Sequence, residues 1–327
     1  MDTKKMKNKM NSVAHGISEK TAGVVKKTGG VVADKSTAVI KQTTDSVVKS
    51  KEAIFNAIDQ NGDGQVGIDD VIIMGLKVPG IRINREAFLR KELFKKFSQE
   101  VINEVIESNP MRAGIPQDEI EKIVDEVIKY ERICVSGISA ALSAPGGVVM
   151  AATIPADIAQ YYGYMLRATQ KMLYLYGFPE IDLEDEGQFI DTETMNMLIV
   201  CMGVMYGVAG ANNALKSIAK ALGTGVEKQL MKKALTKGTI YPIVKSVSKW
   251  FGVRMTKEVF AGFFKKAIPV VGGVIGGGLT FASFKPCCDK LRKVLQDTML
   301  SNPNYNLNVL EDEIIEIDAE IIEEEQD

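Results

Sequence analysis

Oxygen-bearing side chains are concentrated in the segment DQNGDGQVGIDD, residues 59–70. Asp59, Asn61 and Asp63 stand at positions 1, 3 and 5 of this twelve-residue segment. In a calcium-binding loop of the EF-hand or dockerin type, these positions supply side-chain oxygen ligands. Gly64 at position 6 allows the sharp turn that such a loop needs, and Gln65 at position 7 offers its backbone carbonyl.

The last position of the loop is Asp70, where an EF-hand most often has a bidentate glutamate. Because aspartate is shorter, we expect weak calcium binding, with a dissociation constant of about 10⁻⁴ M or higher, or a site open to magnesium as well. The alternative is an empty helix connector, held by the turns that Asp and Asn favour. The sequence contains no second loop of this kind. This favours a structural role, in which the loop joins the arm to the core, over a regulatory one.

Two long stretches, residues 133–156 and 267–283, contain no charged side chain. Proline removes a backbone N–H donor and glycine relaxes the backbone. We therefore expect the run Pro145-Gly146-Gly147, together with Pro155, to divide residues 133–177 into three helical pieces.

The glycines of these stretches are spaced for close helix–helix contact. Gly273 and Gly277 lie four residues apart, as in small-xxx-small packing, and Gly146 and Gly147 lie between two apolar runs. Either these glycines pack helices tightly in a core, or the hairpins that contain them insert into a membrane. The residues leave both interpretations open.

Helical spacing dominates the rest of the chain, and no segment alternates with a period of two over a useful length. Asn84 is predicted to cap a helix, residues 99–106 form an amphipathic segment, and Pro116 begins a long helix. The apolar positions of that long helix are Ile120, Ile123, Val124, Val127 and Ile128. The predicted fold class is all-α, a multi-helix bundle with glycine-rich apolar helical hairpins.

Asp157 is a polar residue with apolar neighbours on both sides, in the segment TIPADIAQ. A buried carboxylate is costly unless it is paired or hydrogen-bonded. One interpretation is a helix N-cap just after the break at Pro155. The other is a polar contact that lines a lipid or ligand cleft together with Arg167 or Lys171.

The net charge of −2 conceals a strong asymmetry between the two ends of the chain. Residues 1–53 hold eleven lysines and five acidic residues, whereas residues 311–327 hold ten acidic residues and no basic one. The basic arm suits an anionic surface, either as a disordered segment or as a helix formed on lipid. The expected divisions are the arm at 1–52, the loop with its flanking helices at 53–110, a helical core at 111–305, and an acidic tail at 306–327.

The residue inventory argues against most enzyme chemistry. The one histidine, His15, lies in the basic arm, which argues against histidine-based triads and catalytic zinc. The four cysteines have no Cys-x-x-Cys spacing and are expected to be reduced, as in the cytosol. Lysines are not interleaved with aromatic residues and arginine is sparse, so nucleic acid is not an expected partner. The first 27 residues lack the apolar segment of a secretory signal.

Two segments and the apolar helix between them resemble the EcsC family. They are ALSAPGGVVMAATIPADIAQYYGYMLRATQKMLYLYGFPEI and SKWFGVRMTKEVFAGFFKKAIPVVGGVIGGGLTFASFKP. The resemblance covers residues 115–300, and the calcium-type loop and the basic arm lie outside it. It implies a helical, mostly cytosolic bacterial protein without established chemistry, linked to transport and secretion.

The expected function is therefore that of a non-enzymatic regulatory or scaffold protein at the inner face of the membrane. It would bind an anionic membrane surface peripherally, carry calcium in the loop, and recruit a membrane transporter or another protein partner. The alternative is a soluble ligand carrier or enzyme with a pocket near Asp157.

Overall fold

The computed structural model describes residues 55–143, 149–181, 191–225, 238, 240–252 and 272–305. This part of the chain is helical and contains no strand, which confirms the all-α prediction. Residues 55–58 and 241–252 are helical as well. The principal helices are α1 (Ile68–Leu76), α2 (Arg85–Leu93), α3 (Gln99–Glu107), α4 (Gln117–Ser143), α5 (Val149–Leu175), α6 (Thr192–Tyr206), α7 (Ala211–Gly223) and α8 (Gly272–Leu295).

Local sequence signals account for where several helices begin. Asn84 caps α2 as predicted, because its Oδ1 accepts a hydrogen bond from the backbone N–H of Ala87 at 2.9 Å. Asp191 caps α6 in the same way, accepting from the N–H of Thr194 at 2.8 Å. The predicted apolar face of α4 is buried, and each of its five apolar residues is at most 4% exposed.

Helices α4 and α5 form an antiparallel hairpin. Three contacts between them show the direction: Glu121 accepts from Tyr176, Glu131 pairs with Lys171, and Ser139 donates to Asp157. As residue numbers rise along α4 they fall along α5. The C-terminal end of α4 therefore lies beside the N-terminal end of α5.

Helix α8 packs against α4, also in the antiparallel direction. Gln117 at the start of α4 donates to the carbonyl of Gln296, just beyond the end of α8, at 2.8 Å. Near the middle of α4, Arg132 donates to the carbonyl of Phe281 at 2.7 Å. The N-terminal end of α8 therefore lies at the same end of the bundle as the α4–α5 connection.

The predicted break at Pro155 is wrong. Helix α5 is continuous from Val149 to Leu175 and contains Pro155 in its second turn. A proline in a helix interior removes one i→i−4 hydrogen bond and clashes with the preceding turn. Because the penalty falls near the start of a 27-residue helix, the packing of the other turns against α1, α4 and α8 outweighs it.

Helix α1 crosses α5 at a contact between two glycines. A Cβ added at Gly75 would lie 2.9 Å from the backbone N of Gly163, and one added at Gly163 would lie 3.0 Å from the carbonyl oxygen of Gly75. The two backbones thus touch directly. One hydrophobic cluster includes residues from α1 through α8, so the segments 53–110 and 111–305 share a core.

Candidate functional site

The calcium-type loop has the turn geometry that its sequence predicts. Gly62 and Gly64 adopt left-handed conformations, with φ of 74° and 76°. Their backbone N–H groups donate to the two carboxylate oxygens of Asp59, at 2.7 and 2.9 Å. The side chains of Asn61 and Asp63 each accept from the N–H two residues further on. The three side chains thus fold back over the loop and accept hydrogen bonds from its backbone.

Asp70 at position 12 serves the protein backbone. Its carboxylate is fully buried and accepts from the N–H groups of Gln60 (2.8 Å), Asn61 (3.2 Å) and Gly67 (2.7 Å). Burial raises the pKa of Asp70 above its ordinary value, and the three N–H donors oppose that rise. Asp70 therefore closes the loop and, as the third residue of α1, caps the N-terminus of that helix.

This arrangement fits a cation in part. Asp59, Asn61, Asp63 and the carbonyl of Gln65 supply the hard oxygen ligands that calcium prefers. Within the described ranges, however, no three Asp, Glu, His or Cys side chains lie close enough together to hold a metal ion. The loop differs from an EF-hand at Asp70, whose carboxylate oxygens already accept hydrogen bonds from backbone N–H groups. The chain closes this loop through its own hydrogen bonds.

A small apolar cluster attaches the loop to the bundle. Val66, inside the loop, is 7% exposed and packs with Ile58 and Met74. Ile158 and Ala159 of α5 pack against the same cluster. Together with the Gly75–Gly163 contact, this cluster places the loop near the N-terminal half of α5.

The structure separates the two residues of the predicted polar pocket. Asp157 lies in the third turn of α5 and not at its N-terminus, so the N-cap interpretation is wrong. Its Oδ1 accepts a hydrogen bond from Ser139 Oγ at 2.8 Å. Arg167 lies ten residues further along the same helix, a rise of about 15 Å. The two side chains do not share a pocket.

Arg167 and Lys171 instead pair with a residue that sequence reasoning missed, Glu131 of α4. Glu131 is fully buried, and its Oε1 lies 2.5 Å from Lys171 Nζ and 3.3 Å from Arg167 Nε. Lys171 also lies 5.5 Å from the ring of Phe88 and 5.7 Å from that of Tyr130. The cluster joins α4 and α5 through one carboxylate and two cations.

A sequence signal for this cluster exists. Continuing the buried face of α4 at helical spacing from Val124 and Val127 leads to Glu131 and then to Val135, which is also fully buried. Arg167 and Lys171, four residues apart, share one face of α5. A single carboxylate on a buried face opposite two cations indicates an interhelical ion cluster.

Three helix ends without charge meet at one end of the bundle. They are residues 133–143 of α4, 149–156 of α5 and 272–284 of α8, which we call the apolar end. The antiparallel pairing of α4 with α5 and α8 brings them together. Ile133 is 56% exposed, and Phe281 is 43% exposed with the Arg132 guanidinium 3.4 Å from the centre of its ring. Exposed side chains of that size are typical of an interaction surface when they cluster.

The remaining predicted positions divide between described and undescribed parts of the chain. Gly273 and Gly277 lie in α8, within the apolar end. Gly146 and Gly147, the basic arm at 1–52 and the acidic tail at 306–327 lie outside the described residues.

Comparison of the chain with protein-family models, with curated proteins and with solved structures finds no match. The resemblance to the EcsC family therefore stays a prediction. Within the described part of the chain, no helix combines the length and the hydropathy needed to cross a bilayer.

Proposed function

We propose that this chain is a non-enzymatic, EcsC-like regulatory or scaffold protein that binds peripherally to the inner, cytoplasmic face of a membrane. The apolar end of the bundle would meet the lipid, and the basic arm would be attracted to anionic headgroups. A membrane transporter or another protein would be the recruited partner.

The observation that supports this proposal is the meeting of three charge-free helix ends. Eleven residues of α4, from Ile133 to Ser143, would extend about 16 Å at 1.5 Å per residue. The hydrocarbon core of a bilayer is about 30 Å thick, so this length suits one leaflet. Most of the backbone polar groups are paired within the helices, as hydrocarbon requires.

The charge distribution along the sequence supports an anionic partner surface. The eleven lysines of residues 1–53 outnumber the five acidic residues there. Each lysine near an anionic bilayer contributes about 1 kcal/mol at most, and salt weakens the attraction. The acidic tail would be repelled by the same surface, which leaves it available to a basic protein partner.

Flotation of the full chain with anionic liposomes tests the proposal. The variant Ile133→Glu removes an exposed apolar side chain worth about 1 kcal/mol in lipid and adds a charge that costs about 2 kcal/mol. We expect membrane partitioning to fall roughly a hundredfold. Phe94, which is 73% exposed but lies beyond α2, gives the matched control Phe94→Glu, which should float like the wild type.

A truncated chain that lacks residues 1–52 separates the contribution of the arm from that of the apolar end. If the chain without residues 1–52 still floats and Ile133→Glu does not, the apolar end is the principal membrane element. Equal flotation of the wild type and Ile133→Glu would rule out the apolar end, and failure of the wild type to float in any lipid would end the membrane proposal.

The second part of the proposal is weak calcium binding in the loop. The left-handed turn at Gly64 and the oxygen ligands of Asp59, Asn61 and Asp63 support it. Because Asp70 already closes the loop through three N–H bonds, a cation would add little further order. We therefore expect a dissociation constant of about 10⁻⁴ M or higher, with magnesium as a competitor.

Isothermal titration with calcium and with magnesium tests this part. Asp63→Asn removes a charged ligand and should weaken calcium binding about tenfold or more. Asp118→Asn is the control, since it removes one exposed carboxylate from α4 and leaves the loop unchanged. Absence of binding at millimolar calcium, or equal loss in both variants, would exclude the loop as a calcium site.

A further inference from the structure

Two arginines of the described bundle differ sharply in how their guanidinium groups are satisfied. Arg85 is buried, and its side chain donates to the backbone carbonyls of Phe178, Ile106, Val105 and Ser108. Such a guanidinium holds the fold together.

The Nε atom of Arg167 is buried and makes no hydrogen bond to any described residue, and the side chain as a whole is 22% exposed. Its guanidinium forms an ion pair with Glu131 and lies 5.7 Å from the centre of the Tyr164 ring. A guanidinium carries five N–H donors in a planar fork that matches a phosphate or a carboxylate. Arg167 is therefore positioned by its neighbours but not saturated by them.

The local charge is positive. Glu131 is the one acidic side chain within ion-pair distance of Arg167 or Lys171 in the described part of the chain, and one carboxylate neutralises only one of the two cations. It contacts both through Oε1, and Lys171 takes the shorter contact. The uncompensated charge therefore resides on Arg167, which is also the more exposed of the two cations.

The position of Arg167 in the bundle points to a lipid source for an anion. Arg167 pairs with Glu131, which precedes Ile133, the first residue of the apolar end on α4, by two residues. Arg167 therefore lies at the border of the apolar end. Tyr130, 57% exposed, and the partly exposed Tyr164 lie in the same region. Tyrosine is enriched where a protein meets lipid headgroups, because its ring is apolar and its hydroxyl is polar.

We infer that Arg167, flanked by Tyr130 and Tyr164 and anchored by Glu131, is a recognition site for the phosphate group of a membrane lipid at the border of the apolar end. This inference rests on the proposed membrane association and adds the headgroup chemistry to it. The guanidinium donates to the phosphate oxygens, while the acyl chains lie toward Ile133. Binding involves no covalent step.

The experiment uses the full chain and vesicles of phosphatidylcholine, with and without a fifth of phosphatidic acid, whose headgroup is a bare phosphate. Arg167→Gln should lower partitioning onto the phosphatidic acid vesicles about tenfold, since it removes a charged hydrogen-bonding partner. Arg167→Lys keeps the charge but loses the planar fork, and should lower partitioning at least threefold. Arg112→Gln, at the opposite end of the α4–α5 hairpin, is the matched control and should change it less than twofold.

Urea unfolding of each variant verifies that the fold is kept, and titration with inorganic phosphate distinguishes the source of the anion. Phosphate binding that Arg167→Gln abolishes, without vesicle binding by the wild type, would support the phosphate chemistry and overturn both the lipid source and the proposed membrane role. Vesicle binding that Ile133→Glu abolishes and Arg167→Gln leaves intact would uphold the membrane role and overturn this inference.

Discussion

The ion pair between Glu131 and Lys171 allows a quantitative test of how the α4–α5 hairpin is held together. Glu131 is fully buried, the Lys171 side chain is 9% exposed, and the two charged atoms are 2.5 Å apart. Removing one partner of a buried pair leaves an uncompensated charge and typically costs 3–5 kcal/mol. Arg167 moderates that cost when Lys171 is removed, since it still contacts Glu131. We therefore expect Lys171→Met to lower the free energy of unfolding by about 3 kcal/mol.

A double-mutant cycle gives the coupling between the two residues. Glu131→Leu should destabilise by a similar amount, because Lys171 then stays buried without a carboxylate. The double variant Glu131→Leu/Lys171→Met removes both members of the pair but leaves Arg167 without its carboxylate, and should cost about 2 kcal/mol. The coupling should therefore still be several kcal/mol. Urea unfolding followed by circular dichroism measures all four free energies.

An exposed pair of similar length provides the control. Lys122 Nζ lies 2.5 Å from Glu119, but both side chains are exposed to solvent, at 56% and 32%. Lys122→Met should leave stability nearly unchanged, because solvent screens such a pair. Strictly additive effects of Glu131→Leu and Lys171→Met, or equal effects of Lys171→Met and Lys122→Met, would refute the reasoning.

Two further predictions concern packing and pH. Gly75→Ala should lower the free energy of unfolding by about 1–2 kcal/mol, because the new methyl group would lie 2.9 Å from the Gly163 backbone N and overpacking outweighs the helix propensity of alanine. Gly137→Ala should instead stabilise the protein by up to about 1 kcal/mol, because no atom of the described residues packs within 4 Å of the new methyl group. Thermal unfolding of the two variants distinguishes the two cases. Burial raises the pKa of Tyr161 to about 12, whereas the pKa of tyrosine in the unfolded chain is about 10. The stability that depends on the neutral phenol is therefore fully present below a pH of about 10 and is lost as the pH rises through 12. The difference in unfolding free energy between the wild type and Tyr161→Phe should therefore shift by about 2 kcal/mol in favour of the variant across that range, and a constant difference would contradict the raised pKa.

The sequence by itself determined the helical class, the starts of α2, α3 and α4, and the sharp turn of the calcium-type loop. These features depend on local signals: 3.6-residue periodicity along α4, the Asn84 cap, and the glycines at 62 and 64. Each of these signals depends on a few consecutive residues, so it can be recognised in the sequence without knowledge of the tertiary contacts.

Only the tertiary structure decided where the polar residues point. Pro155 continues a helix that its own sequence disfavours, because packing along the other turns of α5 outweighs one lost hydrogen bond. Asp70 faces three backbone N–H groups, and Arg167 meets Glu131 across the hairpin instead of Asp157 on its own helix. A buried charge takes whichever partner the packing brings near. That partner lies 3 to 10 residues away for Asp70 and 40 residues away for the pair of Glu131 with Lys171.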